Sequence, residues 1–168
     1  MSDGAGLIYS LLETPPGDLG VAWSEVGLRY LWFAEGDGAT APADDWSPAK
    51  EPAFGLREQL ETYFSGEPID FDLPLDAHGT DFQLRVWETL RTIPYGTTCS
   101  YGRLAELVGQ PGASRAVGGA NNKNPLAVVV PCHRVIGADG SLTGYAGGVR
   151  IKRFLLDLEA GVGSLLAA

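Results

Sequence analysis

With 168 residues, 45% of them apolar, the chain can form one domain, or one of about 90 residues behind a smaller one, and bulk disorder is excluded. No apolar run reaches the ~20 residues that span a bilayer. The opening MSDGAGLIYSLLETPPGD has no basic stretch leading into an apolar one, so a soluble, cytoplasmic protein without a signal peptide is expected. The net charge of −9 argues at first sight against nucleic acid, but the charge is unevenly spread. Residues 1–79 hold 3 Lys/Arg against 15 Asp/Glu, a balance of −12, whereas residues 80–168 hold 9 against 6, a balance of +3. Anion binding is therefore expected in the second half, although solubility alone explains such asymmetry equally well.

In chain order, residues 7–12, 19–23 and 28–34 read as short strands separated by turn-like Pro-Pro-Gly-Asp and Ser-Glu-Val-Gly. Residues 35–52, rich in Gly, Ala, Pro and Asp, read as a loop. Leu56, Leu60, Tyr63 and Phe64 recur at helical spacing, and Gly66 ends that helix. Residues 71–75 alternate like an edge strand or an extended linker. No chemistry is evident in this small α/β half, and a boundary falls near residues 76–79.

Thr80-Asp-Phe-Gln83 is a capping box opening a helix with Phe82, Val86, Trp87 and Leu90 on one face, stopped by Pro94 and Gly96. Ser100 caps the next helix, which carries Leu104, Leu107 and Val108 as far as Gly109. After the turn Gln-Pro-Gly-Ala (110–113), Ser114 is expected to cap a third helix over residues 115–121. Two short helices around a Gly-containing turn form a helix-turn-helix pattern, which is weak evidence alone because helical hairpins are common. Gly118 and Gly119 cost the third helix roughly 1 kcal/mol each relative to Ala. Tight helix packing would justify that cost, and so would the close approach of a DNA backbone, which Arg115 at the helix start favours. Near the chain end, Ile151, Phe154, Leu155 and Leu158 mark the inward face of an amphipathic helix that also carries Glu159.

The cysteines are Cys99 and Cys132, and a reduced state is expected. A zinc site would require Cys99, Cys132, His78 and His133 together at spacings that match no finger or ribbon, so no metal and no cofactor is expected. Residues 128–131, Val-Val-Val-Pro, read as a buried strand leading into Cys132-His133-Arg134. A buried cysteine is more often an inert small hydrophobe than a nucleophile. In an extended chain His133 would point away from the thiol, reaching it only through a water or a bent backbone. A cysteine hydrolase draws its base from a distant segment, so adjacency argues against that class.

Asn124-Pro125, Val-Val-Pro-Cys-His-Arg-Val-Ile-Gly (129–137) and Gly-Ser-Leu-Thr-Gly-Tyr-Ala-Gly-Gly (140–148) closely resemble the O6-alkylguanine-DNA alkyltransferase family. Upstream, residues 80–87, Ile-Pro-Tyr-Gly (93–96), Ser-Tyr-Gly (100–102) and Arg-Ala-Val-Gly-Gly-Ala (115–120) follow in that family's order and spacing. The resemblance is dense over residues 80–160 and loose before. It implies an α/β fold in which a ribonuclease-H-like sheet-plus-helix domain (1–79) supports a mainly helical domain (80–168) bearing the helix-turn-helix and, on a short strand, Pro131-Cys132.

The resemblance also implies roles. Cys132 would accept the alkyl group of O6-alkylguanine, or O4-alkylthymine, irreversibly and once per molecule. His133 would take its proton through a water, Glu159 would orient and polarise His133, and Asn124 would hold the turn before the active-site segment. Tyr101 would press on a phosphate and help rotate the nucleotide out, while Arg115 would fill its place in the stack. Ser114, Gly118, Gly119 and Ala120 would complete the DNA-binding surface in the minor groove. Tyr101, Val135, Tyr145, Ala146 and Gly147 would line the base pocket, with the small Ala146 admitting bulky adducts. The implied partner is double-stranded DNA carrying the lesion, met by a monomer. A non-enzymatic module that only flags lesions is the alternative, but the acceptor-deficient branch of the family carries Trp where this chain has Cys132.

Overall fold

The computed structural model describes residues 6–36, 42–142, 144, 145 and 147–161. Ala146 lies outside the described residues. Strands β1 (Ile8–Leu12), β2 (Leu19–Trp23) and β3 (Leu28–Phe33) form two antiparallel hairpins. The expected loop after β3 contains a two-residue strand, β4 (Ser47–Pro48), paired parallel to β1, so the sheet order is β3-β2-β1-β4. Every residue of β2 is buried, which explains why Leu-Gly-Val-Ala-Trp lacks polar alternation. Gly20 is required there, because a Cβ at that position would sit 2.2 Å from the Trp32 ring.

One face of the sheet packs with helix α1 (Leu56–Phe64) into the main core, where Val21, Leu31, Leu56 and Tyr63 are essentially inaccessible. The same core continues through helices α2 (Asp81–Leu90), α3 (Tyr101–Val108), α4 (Ser114–Asn122) and α5 (Val149–Glu159). The other face of the sheet carries a separate group of Tyr9, Tyr30, Trp32 and Trp46, with Tyr30 and Trp46 stacked at 5.7 Å. Among the described residues, no helix is long and apolar enough to cross a membrane.

The outer edge of β3 ties the two halves together. Leu28 N donates to Pro74 O at 2.9 Å and Asp76 N donates back to Leu28 O at 2.7 Å. Further along, Leu31 N donates to Pro125 O at 2.8 Å and Ala127 N to Leu31 O at 3.0 Å. An exposed strand edge is thereby covered on both stretches, and the segment leading to Cys132 is docked on the sheet. The buried Arg29–Asp76 ion pair, at 2.8 Å, reinforces the first contact.

Local signals in the second half act as their chemistry requires. Thr80 and Gln83 close a reciprocal capping box at α2. Ser100 accepts from Arg103 N at the start of α3, and Gly109, at φ 87°, ends that helix in the left-handed region. Ser114 does not cap α4: it is the first helical residue, Ala113 is the N-cap, and no side-chain cap bond forms. The turn carries Ala113 to φ −91° and ψ 35°, which lets its carbonyl accept from Val117 N and starts the helix one residue early.

Residues 128–131 are not a strand, so Pro131-Cys132 is not carried on one. Val128 adopts φ 71°, and two tight turns follow: Val129 N donates to Ala127 O and Cys132 N to Val130 O, each at 2.8 Å. Asn124 explains the difference. Its Nδ2 donates to Val130 O at 2.8 Å and its Oδ1 accepts from Leu126 N at 3.0 Å, taking up backbone groups that a neighbouring strand would pair. Cys132–Arg134 then form a single 3-10 turn, and strand β6 (Val135–Ile136) begins only afterwards, parallel to β5 (Cys99–Ser100).

Candidate active site

Cys132 is 6% exposed and lines a cavity of about 260 Å³. Tyr30, Trp32 and Phe33 of β3 form one side of this cavity, residues 121–125 another, and Tyr145 and Gly147 a third. Burial pushes the thiol above its ordinary pKa, against the weaker pull of the Asn124 amide and the Lys152 charge toward the thiolate. The resting group is thus a neutral thiol, and a nucleophile can be generated only by a base at the site. Asn121, buried at the end of α4, reaches the Cys132 carbonyl with its Nδ2 at 3.4 Å. Lys152, fully buried on α5, donates from Nζ to Val135 O at 2.6 Å.

Behind the cysteine, Glu159 collects five donors. Its Oε1 accepts from Arg134 Nε at 2.8 Å and Gly96 N at 3.2 Å. Its Oε2 accepts from Arg134 Nη2 at 3.2 Å and from both the Tyr63 hydroxyl and His133 Nε2 at 2.6 Å. A carboxylate at the last residue of a helix opposes the helix dipole, and burial also disfavours its charge. Burial is the largest single influence, but His133, Arg134 and Tyr63 together outweigh it and hold the Glu159 pKa at about 2. Arg134 is fixed in turn by the Ile93 carbonyl at 2.7 Å and by the Tyr95 ring, 5.7 Å from its guanidinium carbon.

This arrangement fixes the imidazole's protonation. An ionised Glu159 can only accept, so His133 Nε2 carries the hydrogen and Nδ1 is left as an acceptor. Nδ1 is buried and has no hydrogen-bond partner in the protein. Burial lowers the His133 pKa, Glu159 opposes that, and Arg134 and Lys152 add to the lowering. The result is a neutral imidazole with one free lone pair, next in sequence to a neutral thiol: a base and a latent nucleophile.

The other expected site residues fall in two places. Tyr145 and Gly147 line the Cys132 cavity, whereas Val135 lies fully buried behind it, pairing with Cys99. Tyr101 stands between α4 and the loop before α5: a Cβ on Gly118 would lie 3.5 Å from its ring, and one on Gly144 would lie 3.4 Å from its hydroxyl. Arg115 and Gly119 are exposed, Ser114 and Gly118 are half-buried, and Ala120 is buried, its carbonyl accepting from Trp87 Nε1 at 2.8 Å. Gly119 has nothing within 4 Å of a would-be Cβ, so packing within the chain does not require it. Among the described residues, no group of three or more His, Cys, Asp or Glu could hold a metal ion.

Sequence reasoning missed Tyr63, Lys152, Asn121 and the β3 side chains lining the cavity, and it gave Arg134 no role. Lys152 and Glu159 left a usable signal: residues 151, 152, 155, 158 and 159 form one buried arc of α5. Tyr63 left none, because at helical spacing a phenol is indistinguishable from any other core aromatic.

Comparison with known proteins identifies the family. The family model for the 6-O-methylguanine DNA methyltransferase ribonuclease-like domain matches residues 7–77, and that for its DNA binding domain matches residues 81–161. A methylated-DNA–protein-cysteine methyltransferase of Mycobacterium tuberculosis is 59% identical over 151 residues, covering 90% of this chain and 91% of its own length. One from Methanosarcina acetivorans is 50% identical over 153 residues, covering 91% and 98%. The crystal structure of Mycobacterium tuberculosis OGT in complex with DNA superposes with a TM-score of 0.85 at 48% identity, covering 92% of this chain and 94% of that one. The chain belongs to the 6-O-methylguanine DNA methyltransferase family.

Proposed function

We propose that this chain repairs alkylated DNA by direct reversal, moving the alkyl group of O6-alkylguanine onto Cys132 in the reaction for which its relatives are named. The observation that carries the residue assignment is the His133–Glu159 bond of 2.6 Å, which leaves a neutral imidazole with its Nδ1 lone pair free, on the residue next in sequence to a buried thiol. In the reaction the thiol proton passes to His133 Nδ1, by way of a water, and Glu159 stabilises the resulting imidazolium. The thiolate attacks the alkyl carbon, a C–S bond forms, and the C–O6 bond breaks. Its electron pair returns to the guanine, which regains its ring proton from solvent. The thioether is stable and no second nucleophile is at hand, so each molecule acts once. O4-alkylthymine, with the same alkyl–oxygen linkage, is a further substrate.

The exposed side of α3 and α4 supports the DNA assignment. A target inside a duplex has to leave the stack, at a cost of a few kcal/mol. Arg115, exposed at the start of α4, suits the vacated space, and Tyr101, at the start of α3 near Gly144, suits the phosphate beside the rotated nucleotide. Gly118 and Gly119, with Ser114 and Ala120 on the same helix, let a groove wall come close. Tyr145 and Gly147, which line the Cys132 cavity, would border the flipped base. In this reading the acidic residues 1–79 support the acceptor domain formed by residues 80–168, and the protein works as a cytoplasmic monomer.

The test is the mass of the protein after mixing with duplex DNA containing one O6-methylguanine. The expected result is a gain of one CH₂ per chain, confined to the peptide holding Cys132 and absent from Cys132→Ala. An unmodified protein that still binds the lesion would make the chain a damage-flagging module instead.

A further inference from the structure

Tyr63 belongs to α1, in the half of the chain where the sequence shows no chemistry. Its ring is buried against Phe64, Phe71 and Tyr95, with centroids 5.2, 5.7 and 6.0 Å away. Packing of that kind needs only the ring. Its hydroxyl donates to Glu159 Oε2 at 2.6 Å across 96 residues of sequence, and it lies 3.5 Å from His133 Nε2. The oxygen it binds is the one that accepts from His133, while Arg134 Nε and Gly96 N hold the other.

We propose that Tyr63 is a positioning residue for alkyl transfer: its hydroxyl pins Glu159 Oε2 against His133 Nε2 and, by sharing that oxygen's charge, limits how tightly the imidazole binds a proton. The inference rests on the Cys132–His133–Glu159 reading above. The ionisable groups around His133 are Tyr63 from α1, Tyr95 from the turn after α2, Cys132 and Arg134 from its own turn, Tyr145 from the loop before α5, and Lys152 and Glu159 from α5. Glu159 is the one among them that is anionic at neutral pH. Burial, with the adjacent carboxylate second, drives the Tyr63 phenol well above its ordinary pKa, so it remains a donor throughout the working range. Whatever binds Glu159 Oε2 therefore tunes the proton affinity of His133, against the lowering that burial imposes. The N-terminal half thus supplies one contact of the proton-transfer machinery.

Tyr63→Phe keeps the ring and removes only the hydroxyl. Glu159 Oε2 would then be shared only by His133 and the longer Arg134 Nη2 contact, the imidazole would hold its proton more tightly, and less of it would be neutral at mildly acidic pH. The measurement is the single-turnover rate of transfer by the full-length protein, pH 5 to 9, on duplex DNA containing one O6-methylguanine, with the active fraction read separately from the amplitude. The acid limb should move up by about 0.5–1 pH unit, a fraction of the worth of one hydrogen bond to a charged group, because the lost bond reaches His133 only through Glu159. The plateau rate should fall by about threefold to tenfold as the His133–Glu159 geometry loosens. Phe64→Leu, which disturbs the packing of the same ring, should lower stability and leave the limb in place. Superimposable profiles for wild type and Tyr63→Phe would overturn the inference, as would an equal shift in Phe64→Leu. Glu159→Gln separates the two levels: if it leaves the profile unchanged, the relay reading itself fails, and if it alone alters the profile, only the role of Tyr63 fails.

Discussion

Around Glu159, a side chain 1% exposed, five donors converge on two oxygens, drawn from three stretches of chain: His133 with Arg134, Tyr63, and the Gly96 backbone. On the outer side of α4, Arg115 is exposed, a Cβ on Gly119 would meet nothing within 4 Å, and the helix begins without a side-chain cap. The first region has its partners arranged during folding, so its electrostatics are ready before any substrate arrives. In the DNA-binding role proposed above, the second would gain its interactions only when a partner docks. A substitution in the first region should therefore cost stability and chemistry together, and one in the second should cost binding while leaving the fold intact.

The largest effect expected from this contrast comes from Glu159→Leu. It strands the Arg134 guanidinium, 8% exposed, and removes the acceptor for His133, Tyr63 and Gly96. Breaking a buried pair from one side costs about 3–5 kcal/mol. Arg115→Ala, by contrast, should stay within about 0.5 kcal/mol of wild type. Urea unfolding of the two variants checks this, and equal midpoints would erase the distinction between the regions.

Acidification probes the same cluster without mutation. Glu159 has a folded pKa of about 2 against an ordinary 4.5, so its contribution is fully present above 4.5 and is lost as pH falls toward 2. That depression corresponds to about 3 kcal/mol. His133 acts in the same direction and earlier: its folded pKa lies below 6.5, so the unfolded chain takes up the proton first and stability begins to fall below pH 6.5. Unfolding free energy should decline gently from about pH 6.5 and steeply below about 4.5. In Glu159→Gln the steep part should be reduced, and an unchanged acid limb would place the titrating carboxylate elsewhere.

How much of each region could be read from the sequence follows from how local its causes are. The Thr80–Gln83 capping box, the Ser100 cap and the Gly109 stop lie within a few residues of the elements they bound, and they were legible. Val-Val-Val-Pro was misread as a strand because strand propensity takes no account of the nearby Asn124 side chain, which claims the Val130 carbonyl and the Leu126 N–H. Cys132, His133 and Glu159 were legible through family resemblance, and α5 could have yielded Lys152 by its helical period. The Tyr63 hydroxyl was invisible, since its partner lies 96 residues away and its ring satisfies the core by itself. Tyr30, Trp32 and Phe33 were hidden in the same way, because only the docking of β3 beside residues 125–127 brings them to the cysteine's cavity.

The smallest effect, and the sharpest test of the exposed region, is Gly119→Ala. The position is helical, and an added Cβ meets nothing within 4 Å, so strain cannot offset the gain in helix propensity. The isolated protein should become more stable by up to about 1 kcal/mol, raising Tm by about 2–4 °C. If a DNA groove must approach this stretch of backbone, the same methyl group should weaken binding to lesion-containing duplex while the rate constant of transfer at saturating DNA stays near wild type. A protein that is more stable and binds DNA less well would show that a helix-weakening residue is kept here for the partner. One that is more stable and binds equally well would remove Gly119 from the interface, leaving Arg115 and Tyr101 to account for the contact.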